Sequence, residues 1–210
     1  MDTVLKTLSD EKIIPIIRTN SAETAVLSAN ACLTGGLKAV ELTMTVPDAL
    51  NCISELKKSG FKTVGMGTVI DEKSASAVIQ AGADFVVSPH LERSVVNTCL
   101  EAGVLVIPGV ATPTEAVIAL RLGVLMVKLF PVNCLGGAEY IKALLGPYPD
   151  MKIFATGGIT DENIAGYLKA GAVCAGIGGS LFQSAWIQNN EYIKISEKAE
   201  FLASVRDSLK

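Results

Sequence analysis

A lysine interrupts the apolar run MVKLFPVN at residues 126–133, and a glutamate interrupts KAVELT at residues 38–43. Alternate side chains of an extended segment share a face. Met126, Lys128 and Phe130 therefore fall on one side of their segment, and Ala39, Glu41 and Thr43 on one side of theirs. A desolvated lysine has a specific chemistry open to it. A free lysine amine titrates at about 10.4, so holding it neutral at pH 7 costs roughly 4.6 kcal/mol in water. An apolar pocket penalises the ammonium by a comparable amount. The neutral amine attacks a carbonyl to give a Schiff base, and a nearby carboxylate relays the protons that carbinolamine formation, dehydration and carbon–carbon cleavage require. The competing reading is a structural ion pair between Lys128 and Glu41, because buried charges need partners. Apolar residues often replace such pairs without loss of stability, which favours a functional role.

Two glycine-rich turns offer the other half of a site. ATGGIT at 155–160 and GIGGSLF at 176–182 each present backbone N–H groups, with a helix start close behind, that can hold a phosphate. Tight turns need glycine in any case, so each pair taken alone also reads as structural. His90 in SPHL is the only histidine and reads as a structural loop group. The five cysteines are scattered without a CxxC pair and read as small buried hydrophobes. This gives neither a disulfide framework nor a metal site.

The elements that must position these groups repeat along the chain. A glycine closes an amphipathic segment and an apolar run follows: GGLKAVEL, SGFKTVGMG, AGADFVVSP, AGVLVIPG, LGVLMVKLF, AGAVCAGIG. This is a helix C-cap feeding a buried strand. IIPIIR and MKIFATGG complete eight strands. In TPTE, Thr112 caps, Pro113 fits the first helical position and Glu115 suits a capping box; Asn20 with Glu23 gives a similar start. Alternating strands and helices imply a parallel sheet. Eight units predict an α/β fold, a TIM-type (β/α)8 parallel barrel, as a single domain over residues 1–210, with an open doubly wound sheet as the alternative. In a barrel, inward residues at the C-terminal strand ends line the catalytic mouth. Lys128 and Glu41 then meet there. A charged last helix, KISEKAEFLASVRDSLK, covers the outside.

Composition narrows the partners. Half the residues are hydrophobic and 19% charged, with a net charge of -3 and no run of like charges. That favours a folded enzyme-sized domain and small-molecule ligands, with no footprint for nucleic acid and no membrane segment. The expected compartment is cytoplasmic.

The ordered series AVELTMT, GMGTV, DFVVSPH, IPGVATPTE, VKLFP, ATGGI and GIGGS resembles the 2-keto-3-deoxy-6-phosphogluconate aldolase family, class I aldolases that also take 4-hydroxy-2-oxoglutarate. The resemblance implies that Lys128 is the Schiff-base lysine and Glu41 the general acid/base. It places Thr68 at the pyruvoyl end and Pro89 and Phe130 as walls beside the imine. Thr156, Gly157, Gly158, Gly179 and Ser180 would hold the phosphate end and nearby hydroxyls. It implies no cofactor and no metal, a phosphorylated keto acid and pyruvate as ligands, and a homotrimer. One departure stands out. Where some members carry a carboxylate-gripping arginine four residues after the glutamate, this chain has Thr45, which reads as a cap for a helix beginning near Pro47. Arg18, at the end of IIPIIR, can take the carboxylate instead; its other reading is a surface arginine. The function implied is reversible cleavage of the phosphogluconate-derived keto acid, with the galactonate epimer as an alternative. A phosphate-binding barrel isomerase or decarboxylase without an imine, and a non-catalytic binder, are the other readings.

Overall fold

The structure, a computed structural model, describes residues 1–209. Nine strands follow in chain order: β1 (Ile13–Ile17), β2 (Ala39–Thr43), β3 (Thr63–Gly67), β4 (Phe85–Val87), β5 (Leu105–Ile107), β6 (Gly109–Val110), β7 (Val127–Leu129), β8 (Ile153–Thr156) and β9 (Cys174–Ile177). The helices are α1 (Asp2–Glu11), α2 (Ala22–Thr34), α3 (Ala49–Ser59), α4 (Glu72–Gln80), α5 (Arg93–Glu101), α6 (Pro113–Arg121), α7 (Gly137–Leu145), α8 (Ile164–Lys169), α9 (Ser184–Gln188) and α10 (Tyr192–Asp207). All pairings are parallel, in the order β5-β4-β3-β2-β1-β9-β8-β7-β6. The two ends of that order, β5 and β6, are consecutive pieces of chain separated only by Pro108, so the sheet closes on itself as eight staves. Proline has no N–H for the ladder, which accounts for the break in the stave. Its carbonyl still serves: the Lys128 N–H donates to Pro108 O at 2.9 Å.

Each stave alternates faces as its sequence does. Ile14, Ala39, Phe85, Val87, Leu105, Ile107, Met126, Phe154 and Cys174 fill the interior in one cluster. Their neighbours Ile13, Val40, Val86, Val106, Val127, Ile153 and Ala175 pack outward beneath the helices in another. Leu5 and Leu8 of α1 join the interior cluster, so this helix plugs the N-terminal end of the barrel. The chain therefore has a packed floor and an open C-terminal mouth.

The helix boundaries follow local chemistry. Gly36, Gly60, Gly82, Gly103, Gly123 and Gly171 all have positive φ, between 69° and 108°, as the repeated helix-closing glycines predict. Thr112, Pro113 and Glu115 form the expected capping box at α6. The start of α2 differs by one residue: Ser21 rather than Asn20 is the cap, its Oγ accepting from the Thr24 N–H at 3.1 Å. Thr45 caps nothing. Helix α3 begins after Asp48, and the Thr45 hydroxyl instead meets Thr43 Oγ1 at 2.8 Å. Four cysteines are buried as expected, but Cys134 is exposed, because the chain after β7 turns outward in a short 3-10 segment. Among the described residues no helix is long and apolar enough to cross a membrane.

Candidate active site

The open end of the barrel holds a cavity of about 430 Å³ lined by every site residue predicted from the sequence: Arg18, Glu41, Thr68, Pro89, Lys128, Phe130, Thr156, Gly157, Gly158, Gly179 and Ser180. Strand parity brings them there. Lys128 lies two residues above the floor residue Met126 on β7, and Glu41 two above Ala39 on β2. Counting staves in either direction, β2 and β7 are four steps apart, so the two side chains face each other across the lumen.

That separation decides the role of the charges. Lys128 is 8% exposed and Glu41 1% exposed. Among the described residues no carboxylate lies within 4.0 Å of the Lys128 ammonium. The structural ion pair is therefore not what is built. Lys128 Nζ instead sits 4.9 Å from the centroid of the Phe130 ring, a cation–π contact. Burial pushes the Glu41 carboxyl above the ordinary carboxylate range, with the positive charges of Lys128 and Arg18 pulling it partly back. Its Oε2 has no hydrogen-bond partner among the described residues.

Two neighbouring features shape the Glu41 side. A Cβ at Gly67 would sit on Glu41 Oε1, so only glycine leaves room for the carboxylate. Thr68, next along, holds a φ of 62°, a left-handed conformation that costs a β-branched residue on the order of 1–3 kcal/mol. Flanking hydrogen bonds, Met44 N–H to Gly67 O at 2.9 Å and Val69 N–H to Val87 O at 3.2 Å, hold it there. Strain of this kind collects at sites that present a side chain to a ligand.

The opposite wall is made of donors. The backbone N–H groups of Gly157, Gly158 and Ile159 after β8, and of Gly178, Gly179 and Ser180 after β9, donate to no acceptor among the described residues, and all six residues line the cavity. Gly157 and Gly158 have φ of 99° and 68°, a pair of left-handed residues that only glycines adopt cheaply. Thr156 Oγ1 and Ser180 Oγ are buried there without partners among the described residues. Such a concentration of unanswered polar groups is the signature of a polar ligand site. The helix expected to assist is slight: α8 has six residues and starts only at Ile164, so the turns themselves supply the donors.

Arg18 is exposed at the mouth, and no carboxylate lies within 4.0 Å of it among the described residues. Its guanidinium is free to take an acidic ligand. Thr43, placed inward by parity but given no role in the sequence reading, lines the cavity and donates through Oγ1 to Ile17 O at 3.1 Å, the carbonyl just before Arg18. Ile16, Ile159, Thr160, Gly176 and Gly178 also line it. Extending the strand parity to β1 and β9 finds Ile16, Gly176 and Gly178; nothing local marks Ile159 or Thr160. His90 is exposed in the loop after β4 and lies outside the cavity, which removes it from the chemistry.

Comparison with known proteins points one way. A family described as "KDPG and KHG aldolase" matches residues 4–198. A 2-dehydro-3-deoxy-phosphogluconate aldolase of Treponema pallidum is 38% identical over 181 residues, 86% of each chain. A 2-dehydro-3-deoxy-6-phosphogalactonate aldolase of Escherichia coli is 34% identical over 175 residues, covering 82% of this chain and 85% of that one. Among solved structures, a KDPG aldolase from Legionella pneumophila, with pyruvate captured as a covalent carbinolamine intermediate, superposes with a TM-score of 0.86 at 30% identity, over 93% of this chain and 96% of that one.

Proposed function

The chain belongs to the KDPG and KHG aldolase family, and from that premise we propose that it cleaves 2-keto-3-deoxy-6-phosphogluconate reversibly to pyruvate and glyceraldehyde 3-phosphate, with Lys128 and Glu41 as the catalytic residues. The observation that carries the assignment is the pair of buried charges facing each other across one cavity without bonding to each other. A keto acid has room to enter between them.

Lys128 attacks C2, and loss of water from the carbinolamine gives an iminium. Glu41 takes the proton of the C4 hydroxyl as the C3–C4 bond breaks. The bonding electrons move to the iminium, glyceraldehyde 3-phosphate leaves, and an enamine of pyruvate remains on the lysine. Proton return to C3 and hydrolysis of the imine release pyruvate and restore the amine. Phe130 and Pro89 wall the imine, Thr68 contacts the pyruvoyl end, and Arg18 grips the C1 carboxylate. The free N–H groups of the two glycine turns, with Thr156 and Ser180, hold the phosphate. 4-Hydroxy-2-oxoglutarate, which has no phosphate, uses the same imine.

Lys128→Arg separates this reading from a barrel enzyme that uses the lysine only as a charge. Arginine keeps the charge and cannot form the imine, so turnover should fall by about a thousandfold or more. Retention of a sizeable fraction of wild-type kcat would contradict the imine.

A further inference from the structure

The turn that carries Gly157 and Gly158 has no ladder to hold it, and two successive left-handed glycines bring more backbone freedom than any other pair. Something else must fix it. It is pressed against the segment that follows Lys128: a Cβ at Gly157 would lie 2.8 Å from Pro131 Cα, and one at Gly158 2.5 Å from Asn133 Cγ. Contact on one side alone does not orient three N–H groups.

Backbone bonds from the Asn163 and Ile164 N–H groups to Thr160 O tie down the far end of the turn, and a side-chain carboxamide adds the restraint that reaches back to Gly158. Asn163 Oδ1 accepts from the Thr160 N–H at 2.8 Å, and Asn163 Nδ2 donates to Gly158 O at 2.9 Å. The side chain thus spans the turn from residue 158 to residue 160. It engages the Gly158 carbonyl and the Thr160 N–H, while the N–H groups of Gly157, Gly158 and Ile159 have no partner among the described residues. Asn163 itself does not line the cavity. We infer that Asn163 is a positioning residue for the phosphate end of the substrate: it holds the glycine turn in its donor conformation and has no part in the imine chemistry. The inference rests on the aldolase reading and adds a determinant of preference for phosphorylated over unphosphorylated keto acids. Preorganised donors bind an anion without a further ordering cost; a loosened turn must be ordered by the ligand.

Asn163→Ala should lower kcat/KM for 2-keto-3-deoxy-6-phosphogluconate by about tenfold or more, mainly through KM. For 4-hydroxy-2-oxoglutarate kcat/KM should stay within about twofold, as should the rate of borohydride trapping with pyruvate. An equal loss for both substrates, or no loss for either, overturns the inference. Should the alanine variant not fold, Asn163→Asp decides by the same ratio, because it keeps an acceptor for Thr160 and removes the donor to Gly158. Titration with inorganic phosphate, followed by phosphorus NMR, needs no turnover and should show weaker binding in either variant. Unchanged phosphate affinity overturns the inference. Failure of the wild type to trap pyruvate would overturn the aldolase reading alone, and the phosphate titration would then decide on Asn163 independently.

Discussion

Glu41 bears the energetic cost of the site. A carboxyl that is 1% exposed, with an unpartnered Oε2, is held above its usual range chiefly by burial. With the folded-state value raised, the stability it contributes is complete below the unfolded value and is lost as pH rises through the folded one. Glu41→Gln cannot ionise, so its melting temperature should exceed that of the wild type at neutral pH, and the difference should vanish at acid pH where Glu41 is protonated. Thermal unfolding at the two pH values checks this. The same variant should lose about 10²–10⁴ in kcat as the proton relay is removed. In the wild type, the acid limb of the rate profile should lie above the ordinary carboxylate range, because the base must be ionised to act. Both residues proposed as catalytic were legible in the sequence because a charge in a two-residue apolar alternation stands out. Gly67 and Asn163 were not, because what makes them matter is contact with residues 26 and five positions away across a turn or a neighbouring stave, which no local pattern encodes.

At the level of elements, the outer helix α10 is clamped to the barrel at two points. Lys198 of α10 pairs with Asp161, just past the first turn, at 2.8 Å, and the pair holds the Asp161 carboxyl below its usual range. Arg206, from the last turn of the same helix, reaches the buried Glu11 at 2.9 Å and Gly36 O at 2.9 Å. Glu11 also receives Lys62 at 3.3 Å, so this carboxylate ties α10, α1 and the start of β3 together at the closed end. Between these clamps α10 lies close on α2. A Cβ at Gly35 would come within 2.5 Å of both Ala199 Cβ and Ser196 O, with backbone that cannot swing aside. Gly35→Ala should therefore destabilise the fold by about 1–3 kcal/mol through overpacking, lowering the melting temperature by roughly 2–10 °C. Activity of the folded enzyme at 25 °C should persist, since α10 does not line the cavity. The covering helix was legible from its charge pattern. Its clamping role was not, because it depends on Gly35 and Glu11, which carry no local mark of an interhelical contact.

For the molecule as a whole, repetition made the barrel readable: six closing glycines and eight apolar runs leave few other ways to bury a parallel sheet. Two features escaped that reading. The stave 105–110 is split by Pro108, although VLVIPG reads as continuous. The N-terminal segment folds as α1 and closes the floor through Leu5 and Leu8, a tertiary consequence of an amphipathic helix lying next to an otherwise open barrel end. With the floor packed, the cavity lies at the opposite end of the barrel, and Arg18 and Phe130 are among its lining residues. If the proposed function holds, this mouth forms a covalent imine at one lysine. Incubation with pyruvate and borohydride, followed by peptide mass mapping, tests it most directly. A gain of about 72 Da confined to Lys128, absent in Lys128→Arg, is expected; an unmodified Lys128, or label on another lysine, would rule out the imine.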